Sequence, residues 1–187
     1  MSRVLVPLAA GFEEIEAVTV IDVLRRAGIE VCAASLGGRR VTGSHGITLE
    51  ADATLDEAQA RDFDMIVLPG GMPGAAHLKE DARVIALLRQ FAASGRHTAA
   101  ICAAPGVLAH AGLLEGRSAT SFPGFLSPQS APGIRLSTAS VVTDGEVVTS
   151  RSAGTAMEFA LTLVGLLEGR GAQADVEKKL LRIGDRG

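Results

Sequence analysis

Apolar runs of strand length keep giving way to segments of helical periodicity, and that alternation limits the folds open to this chain. Val4–Leu8 is one such run, and "GFEEIEAVTVIDVLRRAG" follows it with Ala17, Val20, Ile21 and Leu24 at the spacing of a single helix face. Acidic residues open that segment and Gly28 stands just past its end, as helix termini favour. "IEVCAAS" (Ile29–Ser35) reads as a second strand, and "GITLEADATLDEA" as a short alternating segment running into a helix start. "DMIVLPGG" is a third strand stopped by Pro69, Gly70 and Gly71. "EDARVIALLRQFAASG" is an amphipathic helix, and "HTAAIC" a fourth strand that runs into the helix "APGVLAHAGLL". Strands alternating with helices predict an open, mainly parallel sheet covered on both faces.

The pattern changes after Arg117. "SFPGFLSPQSAPG" reads as a loop, and "STASVVTDGEVVTS" as a hairpin turning at Asp144-Gly145. "AGTAMEFALTLVGLLEG" is apolar nearly all round, which predicts a buried helix, and the polar stretch from Gln173 on predicts one more surface helix with a frayed end. With 187 residues and no linker or low-complexity tract, the chain reads as a single domain over 1–187 with its core between about residues 3 and 180.

Composition removes several classes of function. A net charge of −3 with no basic cluster argues against nucleic acid as the main partner. Two cysteines build no disulfide framework, and no pair of metal-ligand dipeptides occurs, so neither a metal nor a cofactor is expected. The opening apolar run is too short for a membrane span and meets Glu13, Glu14 and Glu16 at once, unlike a signal peptide. A reducing, cytoplasmic setting without a membrane partner is the expectation.

Ligands of such sheets bind beyond the carboxyl ends of the strands. That rule selects Ala9–Glu16, the Pro69-Gly70-Gly71 turn, and Cys102. Buried cysteines are commonly packing, and Cys32, mid-strand among Val31, Ala33 and Ala34, fits that reading. Cys102 stands where a strand turns directly into a helix, with small Ala100 and Ala104 two residues to either side and Pro105 suited to a first helical turn. This is the pattern of a nucleophile elbow. A thiol at a helix N-terminus is expected to have a lowered pKa. Alanine is common in this chain, so filler and nucleophile both remain open on this pattern alone.

In "LPGGMPGAAHL" the glycines Gly70 and Gly71 read either as a tight turn or as backbone N–H groups aimed at an oxyanion. The segment fits neither a dinucleotide fingerprint nor a phosphate loop. In "GFEEIEAV" both Glu13 and Glu16 fall at the edge of the apolar stripe, where a carboxyl is expected to have a raised pKa and to serve as general acid and base; periodicity does not choose between them. His45, His77, His97 and His110 occupy no evident partner position for Cys102.

"LPGGMPG", "AAICAAPGVLAHAGLL", "TSRSAGTAMEFAL" and "GFEEIEAVTVIDVLRRAGIEV" resemble, from about Arg3 to Leu180, the DJ-1/ThiJ/PfpI superfamily, in particular its parkinsonism-associated deglycase and YajL-like branch. The resemblance implies a flavodoxin-like sheet and a homodimer. It implies a reactive Cys102, with Glu16 protonated beside it, and Gly71 and Ala103 around the sulfur. It places Arg26 and Ser150–Arg151 at polar positions of the site or the dimer interface. Two departures follow. The protease-like branch has His where this chain has Ala103, which argues against peptide hydrolysis. The deglycase branch often has His where Phe122 precedes Pro123, so proton transfer falls to Glu16 and water, and Phe122 with Phe125 can wall an apolar pocket. The implied function is cofactor-free glyoxalase and deglycase chemistry on a small carbonyl substrate such as methylglyoxal. The alternatives are an oxidative-stress sensor or chaperone acting through Cys102, or a small-amide or isonitrile hydrolase or hydratase.

Overall fold

The computed structural model describes residues 1–182. In chain order the elements are β1 (Arg3–Leu8), α1 (Glu14–Arg26), β2 (Glu30–Ser35), β3 (Arg40–Thr42), β4 (Thr48–Glu50), β5 (Ala53–Thr54), α2 (Leu55–Ala58), β6 (Met65–Leu68) and α3 (Gly74–Glu80). There follow α4 (Ala82–Ala93), β7 (His97–Ile101), α5 (Pro105–His110), β8 (Ser118–Ala119), β9 (Arg135–Leu136), β10 (Val141–Asp144), β11 (Val147–Ser150) and, after a 3₁₀ turn at Ala153–Thr155, α6 (Ala156–Lys179).

The main sheet has the order β10-β11-β7-β6-β1-β2-β5 and is parallel throughout except for β10, which pairs antiparallel with β11. The expected flavodoxin-like, helix-covered parallel sheet is therefore the fold, with the hairpin added at one edge. Burial follows from coverage on both sides. β6 reads Met-Ile-Val-Leu and is buried at every position, as a strand with two dry faces must be. Leu5, Ile66 and Ala100 pack toward α2, α4 and α5, while Val4, Val6, Met65, Val67 and Ala99 pack toward α1 and α6. β1 leads to β2 on one side and lies beside β6 on the other. Connections diverge there, at the carboxyl ends of β1, β6 and β7, which opens a crevice.

Several elements depart from the expectations. α3 arises where the sequence read as a turn, because Ala75 and Leu78 bury against the core. The hairpin β3–β4 also went unforeseen. The β10–β11 turn lies at Gly145-Glu146, one residue beyond the expected dipeptide, since Asp144 already pairs with Val147 and Gly145 takes φ 59. The apolar helix after Gly154 is buried on one side only: Phe159, Ala160, Leu163 and Val164 face α1 while Leu166 is 38% exposed. The surface helix expected from Gln173 is present as the second segment of α6, which starts a few residues earlier, just past a non-helical break at Gly169 (φ 86, ψ 167). The end of the expected frayed tail, residues 183–187, lies outside the described residues. Among the described residues no helix is long and apolar enough to cross a membrane.

Candidate active site

Cys102 is where β7 ends, and its φ of 64 lies in the left-handed region that side chains other than glycine's avoid. The strain is held by hydrogen bonds on both sides. Its N–H donates to the Ser150 carbonyl at 3.0 Å, and its carbonyl accepts from the Phe122 N–H at 2.9 Å. β11 and the loop after β8 thus clamp the elbow, and Ala104 is fully buried where a larger residue would meet the core. Cys102 itself is partly exposed.

Glu16 sits in the first turn of α1 and is completely buried. Its Oε2 accepts the Gly70 N–H at 2.8 Å. Burial and, to a lesser degree, the charge of Glu13 push the carboxyl up to about 7, against the opposing hydrogen bonds from Gly70 and Cys102. Oε1 is buried without a well-formed hydrogen bond among the described residues.

Gly70 and Gly71 are required by close approach. A Cβ on Gly70 would stand 2.7 Å from Cys102 Cβ and 2.8 Å from Glu16 Oε2. Gly71, at φ 88, would meet the Glu13 nitrogen at 2.3 Å. Gly70 spends its N–H on Glu16, so it is not free to receive an oxyanion as the sequence suggested. The N–H groups that face the sulfur are those of Gly71 and Ala103.

The thiol is not acidified as a helix N-terminus alone would have it. Burial first, then the charge of Glu16 and its hydrogen bond, push Cys102 up to about 12, opposed by the Gly71 and Ala103 N–H groups. α5 is only six residues long and contributes little field. Two acids in contact share one charge: the pair sheds its first proton near neutrality and holds the second tightly. Gly70 favours leaving the charge on Glu16; Gly71 and Ala103 favour leaving it on sulfur.

The three glutamates of the run have separate fates. Glu13 caps α1 by accepting the Glu16 N–H at 2.8 Å. Glu14 is buried against the β3–β4 turn, a contact unforeseen in the sequence. Burial pushes its carboxyl up, but hydrogen bonds from the His45 and Ile47 N–H groups and the His45 ring outweigh that and hold it below the ordinary range. Glu13, Glu14 and His45 bring ligand atoms within 4.8 Å of one another, but the Glu14 oxygens are already engaged by these donors.

The remaining expected residues divide. Phe122 lies beside the elbow through its backbone, and its ring packs edge-on against Phe125 at 6.2 Å. Arg26 is not brought to Cys102 within the chain: it pairs with Asp22 at 2.6 Å, and ten residues of helix, about 15 Å, separate it from Glu16. The Arg151 guanidinium donates to the Thr138 carbonyl rather than to the site. Cys32 is buried in β2 with Arg61 at 3.4 Å from its sulfur, a packing residue as expected. No histidine among the described residues bonds Cys102 or Glu16: His45 is held by Glu14, His77 by the Ala10 carbonyl, and His97 pairs with Glu146.

A parallel α/β sheet carrying a cysteine at positive φ against a buried carboxyl defines a structural class. Within that class the chain belongs to the DJ-1/PfpI family, which it matches over residues 2–166. It is 43% identical to Protein dj-1beta of Drosophila melanogaster, across 95% of each chain. The crystal structure of Drosophila melanogaster DJ-1beta superposes with a TM-score of 0.92 at 42% identity, over 98% of this chain and all, 100%, of that one. Protein DJ-1 homolog B of Arabidopsis thaliana is 41% identical over 96% of this chain, which spans only 41% of the plant protein's length. A deglycase of Pyrococcus horikoshii is 37% identical over 80% of this chain and 89% of its own. The structure described as Toxoplasma gondii DJ-1, oxidized, superposes with a TM-score of 0.91 at 36% identity, over 98% of this chain and 100% of that one.

Proposed function

We propose that this chain is a cysteine-dependent, cofactor-free glyoxalase and deglycase acting on methylglyoxal-type α-oxoaldehydes and the early glycation adducts they form. The carrying observation is the contact between Cys102 and a Glu16 whose carboxyl is raised to about 7, where one group can hold a proton and release it near neutral pH. The similarity to the Pyrococcus deglycase supports the same chemistry.

Glu16 as carboxylate takes the thiol proton as Cys102 attacks the aldehyde carbon, so the S–H bond breaks as the C–S bond forms. The carbonyl oxygen takes the charge beside the Gly71 and Ala103 N–H groups and then a proton from Glu16, giving a hemithioacetal. Glu16 next removes the hydrogen of the former aldehyde carbon as a proton. The electron pair moves onto the neighbouring ketone oxygen, giving an enediolate. Glu16 returns the proton to the former ketone carbon, and the hydroxyl proton on the former aldehyde carbon passes to the neighbouring oxygen, leaving a hydroxyacyl thioester. The aldehyde carbon has been oxidised and the ketone carbon reduced, so no outside redox partner is needed. Water cleaves the thioester to lactate and restores the thiol. Phe122 offers no proton, so Glu16 and water carry every transfer. In the test, purified protein is incubated with methylglyoxal and lactate is measured against a Cys102→Ala control. Lactate no higher than in the control overturns the reading.

One observation favours a second role in oxidative sensing. Glu16 Oε1 is buried without a well-formed hydrogen bond among the described residues, and the Glu16 carboxyl lies against a partly exposed sulfur, so a protonated Glu16 has a hydrogen bond to give to a sulfinate oxygen. The Toxoplasma relative is described in an oxidised form. Intact-mass analysis after mild peroxide tests this: oxygen addition that persists in Cys102→Ser places oxidation elsewhere.

A further inference from the structure

Beside the elbow, α3 and α5 pack with small residues on their facing sides. Ala75 and Ala76 oppose Gly106 and Ala109, and the space they leave is a cavity of about 350 Å³. Its near end is built from the sulfur's own surroundings: Ala103, whose N–H faces Cys102, and Met72, the residue after Gly71. Phe125 walls it on one side, continuing from Phe122 and so from the carbonyl of Cys102. Its far side carries Lys79 from the last turn of α3 and His110 from the last turn of α5. Neither side chain has a hydrogen-bond or ion-pair partner among the described residues, in a chain whose exposed arginines are mostly paired.

We infer that this cavity is the subsite for the substrate's arm, and that the substrates it selects are oxoaldehydes or aldehyde adducts whose short apolar arm ends in an anion, a carboxylate or a phosphate. The inference rests on the proposed carbonyl chemistry at Cys102. A carbonyl carbon at the sulfur, with its oxygen at the Gly71 and Ala103 N–H groups, has its substituent leading over Ala103 into the cavity. Methylglyoxal, whose substituent is one methyl group, leaves that space empty. A longer arm removes the exposed Phe125 and Met72 surfaces from water. Its terminus arrives at the Lys79 ammonium, the one fixed positive charge of the wall.

The test compares three oxoaldehydes with equal methylene arms, ending in a carboxylate, a phosphate or a methyl group, with wild type, Lys79→Glu and Ala76→Leu. Wild type is expected to favour the anionic arms over the methyl-ended one by about fivefold or more in kcat/KM, through KM. The arm that gains more identifies carboxylate or phosphate as the natural terminus. Lys79→Glu is expected to invert that preference, and Ala76→Leu to raise KM for every long arm by shortening the cavity. Equal kcat/KM for charged and neutral arms in wild type, or an unchanged preference in Lys79→Glu, overturns the inference while methylglyoxal turnover still stands. If wild type turns over no oxoaldehyde, the reading at Cys102 fails, and the subsite is judged by calorimetry with the simple alkyl carboxylate and alkyl phosphate. Saturable binding to wild type that Lys79→Glu abolishes then keeps the anion subsite; no binding removes it.

Discussion

At the scale of single residues, Glu16 sets the behaviour of the site, and its effect has a sign that can be worked out. Its folded pKa, about 7, lies above the ordinary value of 4.5. Between those two values the native state binds more protons than the unfolded chain, so stability falls as pH rises through the window. A shift of that size corresponds to roughly 3 kcal/mol at most. Urea unfolding at pH 4.5 and pH 7.5 is expected to show this loss in wild type, and Glu16→Gln to flatten it. A Glu16→Gln protein that keeps the full slope would assign it to another group. The same substitution keeps an acceptor for the Gly70 N–H but removes the proton carrier, so lactate formation is expected to drop about 10²–10⁴-fold. Choosing Glu16 over Glu13 was beyond periodicity, because both fall on the apolar stripe. What separates them is the Gly70 N–H, supplied from 54 residues away. The rise of the thiol pKa was likewise hidden, since it comes from the same buried carboxyl and not from the helix that follows.

At the scale of elements, the elbow and the glycine turn after β6 are one construction. β7 and α5 were legible because a buried apolar run met Pro105 at a first helical turn. The β6 turn was legible only as a stop. Its second function, holding α1's first turn against the elbow, depends on clearances that no sequence pattern shows. Gly71→Ala is therefore expected to cost more than the roughly 1 kcal/mol of a left-handed residue, because backbone atoms of Phe12 and Glu13 stand within 2.6 Å of the new Cβ. A loss above about 2 kcal/mol in urea unfolding is expected, along with loss of Cys102 alkylation at neutral pH. Gly28→Ala, just past the end of α1, is the control for conformation without crowding. Its φ is 81, yet nothing lies within 4 Å of the added Cβ, so about 1 kcal/mol is the expected cost, with Cys102 reactivity intact. Equal costs for the two would show that clearance at Gly71 is unimportant. α3 escaped the sequence reading because Pro-Gly-Gly and a further Pro-Gly dominate its start, although Ala75 and Leu78 stand at helical spacing.

At the scale of the whole molecule, the sheet buries both its faces, but α1 and α6 do not bury all of theirs. Along the outer side of α1, Ile15 is 57% and Val18 45% exposed, with the Asp22–Arg26 pair continuing the same stripe. Nothing in the isolated chain needs two large apolar residues there, on the helix that also carries Glu16. We propose that a second copy of the chain, as the sequence resemblance implied, covers them, which would give Arg26 a place at an interface rather than in the site. A homodimer of standard size buries about 800 Å² per partner, and a charge set in its apolar centre is left without solvent. Sedimentation at micromolar concentration is thus expected to show a dimer for wild type and a shift toward monomer for Val18→Glu. The dissociation constant is expected to rise at least about thirtyfold, or about 2 kcal/mol. Far-ultraviolet circular dichroism is expected to stay unchanged, since Val18 contributes little to the core. If wild type sediments as a monomer, or Val18→Glu dimerises as tightly as wild type, the pairing does not use this face. Arg26 then remains only the partner of Asp22 on its own helix.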